Sequence, residues 1–531
     1  MHSRTTARDA TACLLPLLLA VPAATAGDGR YETLSAGFAD VEHYRLKAAT
    51  FFGGPGVDEC TDAVVQADGG IAVIGNSWGP SFPAEAKVAV LGRGALVDKP
   101  SIITPPPKGG RAQKPVADEA SPNRSGFLTL WNADLSAVTG GLRFDWGVAT
   151  LLSAQASPDG NLYLLGTCGA AFATVQGIPT KGAGNAFIMK VAQGKPAWIS
   201  RFGPAEADTR AGRMWQAGGR VYATAEGGSA EIMTRIADDG TAETWIQVAR
   251  GAATFMGITD DGLALYGGDR NTHTGQEPWR QPFLYGFEKG GAKKWTWWEW
   301  ASKDLRKTGH PSYGLVADSS PRNGTWDPKS KTVLITGWSD GGNSVFTRQP
   351  TDVATTVPKP ASPFSTHGMK GANSLTYIMR IDPATAKIAS WTYFMGYIPM
   401  DFETPANRGA TSGTNIFDIE SDADGNVVFT GGAATGLIQT RNAFWTYPKD
   451  GQKFGGRYAA VMSADLSTLL FSSLLPGYET ARATTSGRTL VIVGRSAKDD
   501  GREKPTAPPL LKPLQKDLRG ERDGHIILLQ R

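Results

Sequence analysis

The chain has 531 residues, and its 65 Gly and 33 Pro exceed the share of about 12% that these two residue types usually have. Hydrophobic residues make up 41% and aromatic residues 9%, which excludes a disordered or collagen-like protein. The 54 Lys and Arg against 50 Asp and Glu give a net charge of +4 with no basic stripe, which argues against nucleic-acid binding. We therefore expect a large folded chain with many turns.

Residues 1–26 have the pattern of a secretory signal peptide. Arg4 and Arg8 supply positive charge, residues 14–21 form a short apolar run, and small residues precede a cleavage site between Ala26 and Gly27. The run is too short to cross a bilayer, and no later run reaches about 18 apolar residues. The sequence predicts an exported protein without a transmembrane segment, in the periplasm, outside the cell or at the cell surface.

One pattern then recurs seven times: a β-rich run, a tight turn with Gly, a second β-rich run and a closing Gly. Each copy predicts a β-hairpin, because Gly readily supplies the positive φ of such turns. The predicted turns contain Gly69, Gly160, Gly219, Gly262, Gly324, Gly425 and Gly487, and the fifth turn is enlarged around residues 323–324 and 327–328.

Between the hairpins lies a second pair of strands, an apolar one followed by an aromatic one, as in residues 187–191 and 197–203. Six such pairs are complete. The seventh is split, because residues 48–53 are an orphan second strand and residues 524–529 an orphan first strand. These two halves can meet only in a closed ring. We therefore predict an all-β fold, a seven-bladed β-propeller with four antiparallel strands per blade, closed by N- and C-terminal strands in one shared blade.

This topology divides the chain into the signal peptide at 1–26, an N-terminal extension at 27–43 and the propeller at 44–531. Long insertions are expected at about 80–124, 339–373, 433–456 and 496–523. Because strands alternate in direction, these insertions lie on one face of the disc and the tight Gly turns on the other. We call the first the insertion-bearing face.

Two cysteines remain after signal cleavage, Cys60 and Cys168. An exported chain allows a disulfide between them, and the alternative is two buried thiols. The topology places both on the insertion-bearing face in adjacent blades, which favours the disulfide.

Three segments show the repeat pattern best: residues 51–54 (FFGG), 159–163 (DGNLY) and 424–431 (DGNVVFTG). In these residues the copies resemble the bacterial SBBP (seven-bladed β-propeller) repeat family. The chain departs from the family pattern at Arg220, which follows Gly219 in place of Asn, and at 485–488, which lack the Asp. The resemblance implies a secreted bacterial propeller and adds little about its chemistry.

Motifs that could carry chemistry have simpler explanations in the repeat. Residues 75–79 and 337–341 both match the G-x-S-x-G nucleophile elbow, but the motif needs a following helix, and two copies indicate repeat consensus. Asp422, Asp424 and Asn426 alternate like calcium ligands, yet no later bidentate Glu follows and the hairpin turn explains them. The six His lack the spacing of metal ligands. The sequence therefore predicts no cofactor and no metal site, with calcium at this turn as the alternative left open.

Four tryptophans at 295, 297, 298 and 300 form the densest aromatic cluster. Packing between blades is the favoured interpretation for Trp295 and Trp297. It is weaker for Trp298 and Trp300, which alternate to the other side of the strand, and ligand stacking stays open for them.

The sequence thus predicts a binding or interaction scaffold, expected to be a monomer, whose partner is an unknown protein or polysaccharide. The first alternative is an enzyme of the glycoside hydrolase or lyase type that acts on an extracellular polymer, with its site on the insertion-bearing face. Two carboxylates about 5 to 9.5 Å apart would favour it. The second alternative is a structural envelope protein.

Overall fold

The computed structural model describes most of the predicted propeller and none of residues 1–43. The described ranges are 44–78, 88–93, 124–145, 149–169, 172, 177–204, 209–271, 280–298, 318–339, 348–361, 375–394, 414–433, 437–440, 442–444, 456–497 and 508–531. The predicted signal peptide, its cleavage site at Ala26 and Gly27, and the N-terminal extension all lie outside them. The described ranges contain no α-helix, and so none that could cross a membrane.

The structure is built from β-strands that run through the whole described chain. In chain order they are β1 (Arg45–Phe52), β2 (Asp58–Val65), β3 (Ile71–Ser77), β4 (Ala89–Arg93), β5 (Ser125–Trp131), β6 (Val138–Asp145), β7 (Ala149–Ala156), β8 (Leu162–Cys168), β9 (Thr180–Gly182), β10 (Ala186–Ala192), β11 (Lys195–Phe202), β12 (Arg210–Ala217), β13 (Arg220–Gly227), β14 (Ala230–Ile236), β15 (Ala242–Ala249), β16 (Ala253–Ile258), β17 (Ala264–Asn271), β18 (Arg280–Phe287), β19 (Lys293–Trp297), β20 (Ser319–Asp327), β21 (Thr332–Ser339), β22 (Arg348–Gln349), β23 (Asp352–Thr356), β24 (Leu375–Asp382), β25 (Lys387–Tyr393), β26 (Asn415–Ser421), β27 (Val427–Ala433), β28 (Gly456–Met462), β29 (Leu469–Leu475), β30 (Tyr478–Ser486), β31 (Thr489–Ala497) and β32 (Arg522–Gln530).

These strands form seven antiparallel blades. In order of pairing the blades are β2-β3-β5-β6, β7-β8-β10-β11, β12-β13-β14-β15, β16-β17-β18-β19, β20-β21-β24-β25, β26-β27-β28-β29 and β30-β31-β32-β1, numbered 1 to 7. Strands β4 and β9 add a fifth, parallel strand to the outer edges of blades 1 and 2. Strands β22 and β23 pair only with each other.

The blades close into a ring. The first strand of each blade contacts the first strands of both neighbouring blades, including β30 of blade 7 with β2 of blade 1. At the closure, β1 pairs antiparallel with β32, with Thr50 opposite Ile526. The structure therefore confirms the predicted seven-bladed propeller and its shared last blade.

The connection between β31 and β32 holds the closing strand β1 from its other edge. Ala49 and Leu511 exchange two backbone hydrogen bonds of 2.8 and 3.2 Å. The side-chain oxygen of Gln515 accepts from the backbone N–H of Gly53 at 3.0 Å, and the backbone N–H of Gln515 donates to the Thr50 hydroxyl at 2.9 Å. The N-terminal strand is thus fixed on both sides.

The closing Gly of the repeat is required by close packing. Gly75 lies opposite Cys60 in blade 1, beside a bulge at Thr61. A Cβ at Gly75 would overlap the Glu59 carbonyl oxygen and the Phe127 ring, whose Cε1 would be 2.9 Å away. The equivalent glycines that face a first-strand carbonyl in the same way are Gly166, Gly337, Gly431 and Gly494.

The turn of blade 5 differs from its prediction. Gly324, placed in the turn from sequence, lies inside β20 one residue after its bulge. The turn is formed by residues 328–331, and Lys331 adopts the left-handed conformation with a φ of 53°. The prediction was wrong because Gly324 is needed for close approach, since its Cβ would be 2.7 Å from the Met256 carbonyl oxygen of blade 4.

Candidate functional site

The seven first strands line the central channel, and polar side chains meet there at one level. Each of these residues lies on the first strand of its blade. Its partner on the second strand, or the nearest residue there, is the one just before the closing position of the repeat. We call them the central belt, which consists of Asp62, Ser153, Arg213, Asn323, Asp418 and Arg482.

Hydrogen bonds and an ion pair join much of the central belt into two groups, one around Asp62 and one around Asn323. Asp62 accepts from the Ser153 hydroxyl and the Ala154 amide, both at 2.9 Å, and lies 3.5 Å from Nη1 of Arg482. Arg213 reaches from blade 3 to the Asn323 side chain of blade 5. Asn323 in turn donates to the backbone carbonyl of Ile416 at 3.0 Å. The belt therefore ties blades to one another across the channel.

The charges of the central belt favour the ionised arginine. Burial alone would lower the pKa of Arg482, but the negative charge of nearby acidic groups, above all Asp418 and Asp62, more than compensates and raises it. Glu420 follows Asp418 by two residues on β26, which places both on the same side of the strand. Burial, together with Asp418 and Asp62, raises the pKa of Glu420 well above its usual value, which favours the neutral acid. The channel thus combines a carboxylic acid with carboxylates around an arginine.

A cavity of about 350 Å³ extends from the central belt toward the tight-turn face. We call it the lower cavity. Three buried polar atoms of residues that line it have no hydrogen-bond partner among the described residues: Oε1 of Gln155, Nε2 of Gln216 and Oγ1 of Thr485. Buried polar atoms of this kind are normally satisfied by water or a ligand, so this cavity is a polar one.

A larger cavity of about 650 Å³ lies at the insertion-bearing face, above blades 7, 1, 2 and 3. We call it the Arg124 cavity. Trp78 and Arg124, at the two ends of the first long insertion, line it, and the Arg124 guanidinium lies 5.4 Å from the centre of the Trp78 ring. Arg210 of β12 lines the opposite side. Unlike the channel, this cavity is lined by more arginines than acids.

A second cavity of about 510 Å³ occupies the same face above blades 3 to 6. Trp338, near the start of the second long insertion, lines it, and Arg280 and Arg322 lie 5.8 and 5.6 Å from the Trp338 ring. The insertion-bearing face thus carries two separate cavities with an arginine beside a tryptophan.

The two cysteines are free buried thiols in this structure. Cys60 points into the layer between blades 7 and 1, where its Sγ lies against Gly524. Cys168 packs instead between blades 1 and 2, against residues such as Phe144. Strands of blade 1 separate the two side chains, so the predicted disulfide is not formed here. Burial raises the pKa of Cys168 to about 11 and that of Cys60 well above its usual value, which disfavours the thiolate form of both side chains.

The oxygens of the predicted calcium loop are used by its own turn. Asp422 accepts from the amides of Asp424 and Asn426 at 2.9 and 2.8 Å and from the Asn426 side chain at 2.9 Å. The positive Arg531 guanidinium lies 3.7 Å from the same carboxylate. Among the described residues no group of three or more His, Cys, Asp or Glu is placed to hold a metal ion. Both the predicted lack of a cofactor and the alternative of calcium at this turn stay untested.

The tryptophan cluster is packed into the protein. Trp297 is fully buried between blades 4 and 5, and its indole donates to the Ala386 carbonyl at 2.8 Å. Trp298, for which ligand stacking was the open alternative, is also fully buried, because the chain turns at the end of β19, where Trp298 has a φ of 58°. Trp300 lies outside the described residues.

Both serines of the G-x-S-x-G matches are fully buried, Ser77 at the end of β3 and Ser339 at the end of β21. The residues where the helix of a nucleophile elbow would begin lie outside the described ranges, so the assignment of both matches to the repeat stays a prediction.

No protein-family model and no curated protein matches the chain. Among solved structures, it is similar to a protein of unknown function from Dyadobacter fermentans, at 9% identity over 92% of this chain and 100% of that one, with a TM-score of 0.38. It is similar at 9% identity to the β-propeller domain of the Trilobed protease from Pyrococcus furiosus, over 89% of this chain and 100% of that one, with a TM-score of 0.38. A GH43 endo-arabinanase from Bacillus licheniformis is also 9% identical, over 59% of this chain and 94% of that one, with a TM-score of 0.23. The class of the protein therefore rests on its own strands: it is a seven-bladed β-propeller.

Proposed function

We propose that the protein is an exported scaffold that binds an extracellular ligand on its insertion-bearing face. The observation that supports this most is the Arg124 cavity, the largest of the three cavities described above, which lies where the longest connections meet the blades. Export rests on the signal-peptide pattern of residues 1–26 and agrees with the resemblance to the SBBP repeat family.

The chemistry of the central belt also supports a scaffold. Asp62 is saturated by two hydrogen bonds from blade 2 and an ion pair from blade 7. Arg213 is bound to blade 5. Groups that are engaged in holding blades together are poorly placed to change partners during a reaction.

Binding is tested with the mature protein against an array of glycans and secreted-protein extracts, followed by titration of each ligand found. Thr150→Trp places a large side chain in the Arg124 cavity and is expected to weaken binding at least tenfold. The control is Ser486→Trp at the mouth of the lower cavity, which should bind like the wild type. Loss of binding only in the control would refute the proposal. The absence of any ligand would also refute it and would favour a structural envelope protein.

One observation favours the enzyme as a second candidate. Glu420, with its raised pKa, lines the lower cavity together with Asp418, which gives an acid and a carboxylate in one polar cavity. This site would lie in the channel and not on the insertion-bearing face. Release of reducing ends from polysaccharides by the wild type, and its loss in Glu420→Gln but not in Thr150→Trp, would establish this reaction. Turnover that Glu420→Gln leaves unchanged would exclude it.

A further inference from the structure

The Arg124 cavity has an excess of positive charge. Three arginines and one glutamate line it: Arg124, Arg210, Arg495 and Glu59. Arg495 is already paired, since its Nε lies 2.8 Å from Oε2 of Glu479 and its Nη1 lies 3.7 Å from Oε2 of Glu59. The excess is therefore carried by Arg124 and Arg210.

Arg124 is half-buried and has no hydrogen bond or ion pair within the described part of the chain. Burial lowers the pKa of its guanidinium, and Glu59 only partly opposes this effect. Stacking on Trp78 uses one flat face of the guanidinium and leaves the N–H groups at its edge available. A half-buried guanidinium whose burial is only partly offset by a nearby carboxylate is costly, and an anion that enters the cavity would reduce this cost.

Arg210 stands exposed at the start of β12 and also has no ion pair among the described residues. Its cross-strand neighbour is Glu226, but that carboxylate lies 3.4 Å from Nε of Arg250. Arg210 therefore provides a second, more accessible cation on the same cavity.

Hydroxyl groups complete the lining. Thr61 donates to the Leu151 carbonyl at 3.2 Å and Thr209 to the Pro204 carbonyl at 2.9 Å. With their protons used in this way, the oxygens can only accept, so they suit a ligand that carries hydroxyl donors. An inorganic anion such as sulfate has no such donors.

From these contacts we propose that the Arg124 cavity binds an acidic sugar, whose carboxylate or sulfate lies between Arg124 and Arg210 and whose hydroxyls meet the threonines. This assignment rests on the proposed function and names the chemical class of its ligand. A sugar acid can be free or part of a polymer, and both sources share this chemistry.

The test is calorimetric titration of the mature protein with polygalacturonate, galacturonate, sodium sulfate and neutral dextran. Arg124→Gln and Arg210→Gln keep most of the side chain and remove the charge. Arg220→Gln is the matched control, since it removes an exposed arginine from the tight-turn face. Thermal melting verifies that each variant is folded, and the exposed Arg210 provides a usable variant even if Arg124→Gln does not fold.

We expect both acidic sugars to bind the wild type. Their affinity should be at least tenfold lower for Arg124→Gln and for Arg210→Gln, and unchanged for the control Arg220→Gln. Binding should weaken as salt rises from about 0.05 to about 0.3 M. Tighter binding of polygalacturonate than of galacturonate would identify a polymer as the source, and equal affinity per site would identify the single sugar; both outcomes support the site.

The inference is overturned if dextran binds as tightly as polygalacturonate, if sulfate binds as tightly as galacturonate, or if the charge variants bind like the wild type. Its failure is distinguishable from failure of the proposed function. A neutral glycan or a protein that is blocked by Thr150→Trp but unaffected by the arginine variants would leave the proposed function standing and remove only the acidic sugar.

Discussion

Substitution of Gly75 by Ala tests whether the closing glycine of the repeat is a packing requirement. A Cβ at this position would overlap the Glu59 carbonyl oxygen of the neighbouring strand and the Phe127 ring, with Cε1 of that ring 2.9 Å away. Neither neighbour can retreat easily, because Glu59 O is backbone and Phe127 is 1% exposed. Overpacking of this kind costs about 1 to 3 kcal/mol and sometimes more, so we expect about 3 kcal/mol of destabilisation.

The matched control is Gly160→Ala in the turn of blade 2. Gly160 has a φ of +80° but nothing within 4 Å of the position of a Cβ, so its substitution should cost only the left-handed strain, about 1 to 2 kcal/mol. Guanidinium denaturation followed by tryptophan fluorescence measures both variants, and equal slopes show that the midpoints report stability. If Gly75→Ala were as stable as Gly160→Ala, the close-packing explanation would be refuted.

Three further predictions concern buried ionisable groups. Burial raises the pKa of Asp58 from 3.8 to about 7, so the folded state holds this proton more tightly and stability should fall as the pH rises from about 4 to 7, by on the order of 4 kcal/mol in all. About 2.5 kcal/mol of this loss falls between pH 5 and pH 8, and denaturation at these two pH values should show it in the wild type and a smaller loss in Asp58→Asn, whereas an identical loss in both would contradict it. Mass spectrometry of the protein that is denatured and alkylated without reduction should find an alkyl group on both Cys60 and Cys168, whereas an unalkylated protein two hydrogen atoms lighter than its reduced form would show a disulfide. Arg482→Met leaves Asp62 without its cation and should lower the free energy of unfolding by about 2 kcal/mol, allowing for the partial exposure of the arginine. The double variant Asp62→Asn/Arg482→Met should recover part of this loss. Strictly additive effects of the two substitutions would show that the pair is not coupled.

The number of blades could be predicted from the sequence because turn glycines and closing glycines recur together. The same reasoning misplaced the turn of blade 5, since a Gly next to a bulge and a Gly in a turn look alike in a sequence. Gly324 serves the first purpose, and Lys331 takes the left-handed position in the turn without any glycine.

The central belt was not predicted, although a signal for it exists. Its members stand at nearly the same distance before the turn of each hairpin, as Asp62 does before Gly69 and Asp418 before Gly425. The length of the turn changes this spacing from blade to blade: Ser486 pairs with Thr489 across a two-residue turn, and Arg482 therefore stands two residues closer to Gly487. Only the register of the strands brings these residues to one level.

The Arg124 cavity could not be found from sequence for a different reason. Its residues come from blades 7, 1, 2 and 3, and Trp78 and Arg124 are separated along the chain by a long insertion. The prediction that the insertion-bearing face matters followed from topology, but the identity of the residues that converge there depends on how neighbouring blades are rotated about the ring.

The most direct test of this account is a crystal structure of the mature protein with a bound acidic oligosaccharide. The account predicts the acidic group of the sugar in the Arg124 cavity, within hydrogen-bond distance of Arg124 and Arg210, with the lower cavity free of sugar. A sugar bound instead in the lower cavity beside Glu420 would contradict it and would point to the enzyme.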